Sequence, residues 1–125
     1  MSTSVAYTPW GHSQGSRTVA PGIVIYHTAR HGGAHVEQAE RMTWPVALRE
    51  LQTWAGEGWY EEDCDIHFVI LARPELFPPE HVRGAVNFAR EYCKEYAPTV
   101  AAWIDSDERR AVKLRAMVDA MPAAV

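Results

Sequence analysis

Apolar positions along this chain recur at two periods, and the places where one gives way to the other mark its elements. Ile23-Val24-Ile25-Tyr26-His27-Thr28 is dense in β-branched and aromatic residues and reads as the best strand. Arg17 to Ala20, joined to it through Pro21-Gly22, completes a hairpin. Proline sets a negative φ at one central turn position and glycine accepts the positive φ at the next. Strand alternation then puts Ile23, Ile25 and His27 on one face and Val24, Tyr26 and Thr28 on the other. Upstream, Pro9, Gly11 and Gly15 among serines and threonines predict a loop over residues 1–15, with a short edge strand from Val5 to Thr8. Trp10 should pack back onto the body of the domain.

Beyond the hairpin the period lengthens. A short helix fits Val36 to Met42, and a firmer one starts at Pro45, with Ala47, Leu48, Leu51, Trp54 and Ala55 on one face and Gly56 and Gly58 after its end. Residues 66–72, Ile-His-Phe-Val-Ile-Leu-Ala, read as a buried strand stopped by Pro74. An unbroken apolar run has no period of its own, so a helix starting near Glu61 is the alternative. Pro78-Pro79-Glu80 opens a helix carrying Val82, Ala85, Val86, Ala89, Tyr92, Cys93 and Tyr96 at spacings of three and four, and Pro98 blocks its continuation. Residues 99–104 suggest a short strand. A C-terminal helix over 106–121 buries Ala111, Leu114, Met117, Val118 and Met121. The expected architecture is one α+β domain over residues 1–125. Its small antiparallel sheet, the 17–28 hairpin plus a central strand at 66–72, is flanked by three helices near 45–55, 79–96 and 106–121.

Composition narrows the function. With 125 residues, 47% hydrophobic and 22% charged, the chain can close one core and no more. A net charge of −4 argues against direct nucleic-acid binding, which calls for a basic surplus. The local basic face of Arg109, Arg110, Lys113 and Arg115 reads as a solvated helix surface balanced by Asp105, Asp107 and Glu108. Cys64 and Cys93 form no short-spaced pair and are expected as free thiols in a reducing cytosol. Residues 1–6 show no basic segment leading into an apolar one, and the apolar run 68–72 is far short of the roughly 20 residues a membrane helix needs. A cytoplasmic protein without membrane contact is the expectation.

Chemistry concentrates in two segments, His31-Gly32-Gly33 after the strand and Glu61-Glu62-Asp63-Cys64-Asp65. The paired glycines predict a loop there, in which backbone comes close to something or takes positive φ. His27, His31 and His35 are spaced by four, but glycines inside that span disfavour the helix that would stack them as metal ligands. A mixed nitrogen and oxygen site using Glu61, Asp63 or Asp65 with His67 stays open, zinc being the first candidate. Cys64 with His31 and Asp63 has the parts of a thiol nucleophile, yet its acidic neighbours disfavour the thiolate. Gly32 and Gly33 could offer backbone N–H groups to an anion, with Thr28, Arg30 and His31 adding donors, although no phosphate fingerprint is present. The plainest reading is a turn in which His31 bonds a carboxylate of the acidic run. That run is either a solvated turn, paired in part with Arg41, Arg49 or Arg73, or an interaction edge held in place by Trp59-Tyr60. Trp44, Trp54 and Trp59 are expected in or near the core, and Trp10 and Trp103 beside loops where exposure is possible.

Pro9-Trp10-Gly11 with Gln14, Ala20-Pro21-Gly22-Ile23, Thr28 with His31-Gly32-Gly33, and Trp59-Tyr60-Glu61-Glu62-Asp63-Cys64-Asp65 resemble an uncharacterised family of small accessory proteins carried by phages, plasmids and other mobile elements. The resemblance spans roughly residues 9 to 75 and places Thr28, His31, Gly32, Gly33, Glu61, Glu62 and Asp63 at the centre of the motif. It implies an accessory factor, and by analogy one that inhibits a host defence complex as anti-CRISPR proteins do. The leading expectation is a non-enzymatic protein binder without cofactor or metal, compatible with a homodimer. Its binding residues would be Thr28, Arg30, His31, Gly32, Gly33, Trp59, Tyr60, Glu61, Glu62, Asp63 and Asp65, set against a basic partner surface. The alternative is a small hydrolase or transferase, metal-assisted or not. His31 would be its general base, Asp63 or another carboxylate of the run would orient it, and Gly32 and Gly33 would supply backbone donors.

Overall fold

A computed structural model describes residues 7–122. Tyr7–Thr8 (β1) and Gly11–His12 (β2) pair as a small hairpin of their own; Val5 and Ala6 of the expected edge strand lie outside the described residues. Four further strands, Gly15–Ala20 (β3), Ile23–His27 (β4), Gly32–Val36 (β5) and Trp59–Glu61 (β6), form an antiparallel sheet in that order. Gly22 takes the positive φ, 87°, that the Pro21-Gly22 turn requires. The α+β class holds, with seven α-helices among the described residues.

The sheet departs from expectation at Gly32-Gly33. These glycines begin β5 rather than extending a loop, in register with His27 and Tyr26 on one side and with Glu61 on the other. Their use is close approach, not positive φ. A Cβ on Gly33 would meet the Tyr60 carbonyl oxygen at sub-van der Waals range and sit 2.5 Å from Cη2 of Trp10; one on Gly32 would lie 2.6 Å from the Tyr26 carbonyl oxygen. A side chain at Gly33 would prise the Trp10 layer from the sheet, and one at Gly32 would press on the backbone of β4.

One face of the sheet, carrying Ile23, Ala34, Val36 and Tyr60, closes the main core. The other face carries a smaller aromatic group. The Trp59 ring lies 5.6 Å from Tyr26, 4.5 Å from His35 and 5.7 Å from Trp10, the last edge-on. Trp10 thus packs back as expected, and the β1–β2 hairpin is pinned over the sheet by it. Aromatic pairs at these separations add about 1 kcal/mol each beyond their area.

Residues 66–72 are not a strand. Ile66–Ala72 is a helix, the third in chain order after Gln38–Arg41 (α1) and Val46–Arg49 (α2), and is labelled α3. Phe68 to Ala72 are all buried. From Phe68 onward the helix is enclosed on every side and so apolar on every side, which is why it shows no helical period and its β-branched content misleads. The guanidinium of Arg110 donates to the Ala72 carbonyl, covering the negative end of this buried helix. The sheet takes its remaining strands from the glycine segment and from Trp59–Glu61 instead.

The rest of the core is helical. Pro79–Glu91 (α4) and Cys93–Tyr96 (α5) follow the predicted 79–96 stretch, and Arg109–Asp119 (α7) falls within the predicted C-terminal helix. The short strand expected at 99–104 is a helix, Pro98–Asp105 (α6), with Pro98 at its first position and Val100, Trp103 and Ile104 buried at helical spacing. Trp103 is accordingly in the core, not beside a loop. The helix expected at 45–55 shrinks to α2. The Trp54 N–H donates to Asp65 Oδ2 at 3.2 Å, and Gly56 and Gly58 adopt φ of 109° and 82°, so the chain from residue 50 onward follows tertiary bonds rather than helical ones. Trp54, read as core, is 91% exposed.

The Gly33 packing can be tested by urea denaturation. Gly33→Ala is expected to lose about 3 kcal/mol, as overpacking at a backbone contact does. Gly84→Ala, in α4 where an added Cβ meets nothing within 4 Å, is expected to gain roughly 0.5–1 kcal/mol. Equal stability of the two variants would contradict the close-approach role.

Candidate functional site

The turn between β4 and β5 is organised by Thr28. Its hydroxyl donates to the His31 carbonyl at 2.5 Å and accepts from the N–H groups of Arg30 and His31 at 3.2 and 3.1 Å, while the Thr28 N–H donates to the same carbonyl at 3.0 Å. A threonine that bonds its own turn in this way fixes the backbone from which His31 projects. Opposite, Glu61 is carried by the last position of β6, in register with Gly33. Its Oε2 accepts the N–H groups of Asp63 and Cys64 at 3.0 and 3.2 Å, and its Oε1 lies 3.9 Å from His31 Nδ1. That gap is beyond a direct hydrogen bond but within reach of one through water.

His31, Glu61, Glu62 and Asp63 each bring a ligand atom within 4.8 Å of the others. One imidazole and three carboxylates form the kind of donor set taken by zinc or manganese. His27, His35, Asp65 and His67 stand outside this group: His35 packs on Trp59, and His67 stacks on Phe88 with ring centroids 4.3 Å apart. Partial burial holds the Glu61 carboxyl above the ordinary carboxylate range. Its backbone donor at Asp63 works against the shift and the Asp63 charge works with it.

Cys64 is exposed beside this cluster, and slight burial together with Glu61, Asp65 and Asp63 pushes its thiol up. That is the effect expected of its neighbours, and it speaks against a nucleophile. Gly32 and Gly33 are buried strand residues and do not form an open anion cradle. Tyr60 is buried and its hydroxyl is pushed up to about 12, chiefly by that burial. Asp65 is buried too. Tyr60 and Asp65 are thus closed off from outside, and the accessible part of the run is Glu62, Asp63, Cys64 and the outer side of Glu61.

Asp65 has a second task that the sequence did not suggest. Its Oδ1 accepts the Tyr96 hydroxyl at 2.8 Å while Oδ2 holds the Trp54 N–H. One buried carboxylate therefore joins the 50–58 segment, the start of α3 and the end of α5. The junction lines a groove of about 880 Å³ together with Trp10, His31, Glu61 and Tyr92. Tyr92 is 70% exposed, and Phe88, Tyr92 and Tyr96 project at successive four-residue steps. Periodicity had assigned both tyrosines to the core face. The groove combines residues far apart in sequence, and of its walls only Trp10 was expected beside a loop where exposure is open.

This chain belongs to the DUF7007 family, a domain of unknown function, whose model matches residues 3–121. The match continues through the C-terminal helices, past the residues 9 to 75 on which the mobile-element resemblance rests. No curated protein and no solved structure matches the chain.

Two measurements follow from the electrostatics. Because burial and three acidic neighbours disfavour the thiolate, iodoacetamide at pH 8 is expected to alkylate Cys64 several-fold more slowly than a peptide thiol, with Glu61→Gln/Asp63→Asn restoring part of the rate. Cys93, buried and pushed up to about 11, should stay unmodified until the protein unfolds. A Cys64 rate equal to or above the peptide's would refute the assignment. Tyr96→Phe removes a donor from a buried carboxylate and should cost about 2 kcal/mol in denaturant unfolding; a loss under about 0.5 kcal/mol would mean the Asp65 junction carries little.

Proposed function

We propose that this chain acts by binding another protein rather than by turnover, offering the Glu61-Glu62-Asp63 edge to a basic surface. The observation that carries the reading is the state of those charges: among the described residues no arginine or lysine pairs with them. Arg41 is engaged by Glu57 at 3.3 Å, and Arg73 by Glu40 and Glu75 at 2.6 and 2.7 Å. Two of the three arginines that the sequence offers to the run are thus engaged elsewhere, and Arg49 forms no ion pair with it. Clustered carboxylates on a rigid sheet end create a local negative potential that speeds encounter with a positive surface and selects against acidic ones.

The mobile-element resemblance supports a finer proposal, that the basic partner is a host defence complex and that binding inhibits it, in the manner of anti-CRISPR proteins. A cytoplasmic location goes with that proposal. Among the described residues no helix is long and apolar enough to cross a membrane.

A second reading, His31 as general base oriented by a carboxylate, draws on the 3.9 Å approach to Glu61. Glu61 rather than Asp63 would be the orienting acid. The reading lacks the backbone donors it needs, since Gly32 and Gly33 lie buried in the strand ladder. The binding reading requires nothing that the site does not present.

The test is inhibition in a host with an active defence system, scored as recovery of phage plating or plasmid transformation. The native chain should restore it and co-purify with the defence complex. Glu61→Gln/Glu62→Gln/Asp63→Asn, which keeps each side chain's shape and one acceptor oxygen while removing its charge, should lower both by at least about tenfold, the scale of a lost set of interface charges. His31→Ala should stay within a few-fold of native. Undiminished inhibition by the triple variant would remove the acidic edge from the mechanism; loss on His31→Ala alone would favour the catalytic reading.

A further inference from the structure

The groove beside the acidic edge has a composition that the edge alone does not explain. Trp54 is 91% exposed and Tyr92 70% exposed in a chain that buries Trp44 and Trp103 almost completely. Both large rings face water although Asp65 ties down the Trp54 backbone and the neighbouring Tyr96 hydroxyl. The walls are held in place, and the rings are left bare. Carboxylates accompany them: Glu61 and, on α5, Glu95 join the lining, and among the described residues no arginine or lysine lines the groove. Aromatic faces with nearby carboxylates, in the absence of competing cations, are complementary to a flat cation. Such a cation can stack on a ring and donate from its edge to a carboxylate.

We propose that this groove is the docking site for an arginine side chain of the partner protein, its guanidinium stacked against Trp54 and Tyr92 and paired with Glu61 or Glu95. The proposal rests on the binding-protein reading above and names the group that the partner must supply. Arginine is chosen over lysine on chemistry. A guanidinium is planar and weakly hydrated, and it bonds a carboxylate through two parallel N–H groups, whereas an ammonium keeps its water and offers a point charge. Asp65, with both oxygens already engaged, is a positioning residue that holds the walls at their spacing.

The probe is a capped Gly-Ser-Arg-Gly-Arg-Ser-Gly peptide titrated into the full chain at 150 mM salt, read by backbone and indole N–H chemical shifts. Shifts should concentrate at Trp54, Tyr92, Glu95 and Tyr96. The same peptide with citrulline for arginine, equal in shape but neutral, should bind at least tenfold more weakly, and the lysine peptide at least threefold more weakly. Trp54→Ala and Tyr92→Ala remove exposed rings, so folding should be kept, and each should weaken the arginine peptide at least fivefold. Equal binding of the citrulline peptide, or shifts that ignore both ring deletions, would overturn the proposal. Glu62→Gln/Asp63→Asn leaves every groove wall in place and separates the two ideas. If that variant loses the partner while the peptide never binds, the acidic edge stands and the groove falls. If the peptide binds as expected and the partner is indifferent to that variant, the groove stands and the edge reading falls.

Discussion

Three layers meet at a single point with no room for a side chain. Gly33 lies between the Tyr60 carbonyl of one neighbouring strand and the edge of Trp10 above, and Gly32 faces the Tyr26 carbonyl of the other. From this contact the sheet acquires its third and fourth strands, the N-terminal hairpin its seat, and Glu61 its position opposite His31. Close packing of backbone against an aromatic edge is unforgiving, because neither partner can swing aside as a flexible side chain would.

The acidic edge and the groove are products of that frame. β6 ends at the point where Glu61 can accept the N–H groups of the next turn, and the turn delivers Asp65 to the inside while leaving Glu62 and Asp63 outside. Consecutive carboxylates thus have opposite environments and different duties. The buried one pulls distant segments together, and the exposed ones give the surface its charge. Burying Asp65 carries a desolvation cost, which two hydrogen bonds offset.

How much of this was legible in the sequence depended on how local each cause was. The Pro21-Gly22 hairpin, the helix after Pro79 and the Arg109–Asp119 stretch of the C-terminal helix follow from turn chemistry and amphipathic spacing, both contained in a few residues. Residues 66–72 misled because from Phe68 to Ala72 their helix is enclosed on all sides, so no polar face longer than His67 reveals its period. Paired glycines suggested a loop because their normal effect is to loosen backbone. Their effect here depends on what lies across from them, namely Tyr60 and Trp10. Trp54 belonged to a sound helical stripe that never forms, since Asp65 claims its N–H first. His31 and the acidic run were rightly placed near each other by motif. The aromatic groove was not foreseen, because its walls come from segments some forty residues apart, joined by a hydrogen-bonded carboxylate.

The Asp65 junction also bears on how the chain comes to have a usable surface. All four strands of the sheet and their glycine contact are encoded by the time residue 61 is reached, although the sheet's apolar face is covered only by helices that follow. The groove is not encoded so early. One wall arrives with residue 54, the fastening with residue 65 and the opposite wall only with residue 96. A chain cut short within α4 would keep the sheet's sequence and the whole acidic run, yet would lack the Tyr92 and Tyr96 side of the groove and much of the core beneath the sheet. The surface offered to a partner therefore certifies that folding has finished.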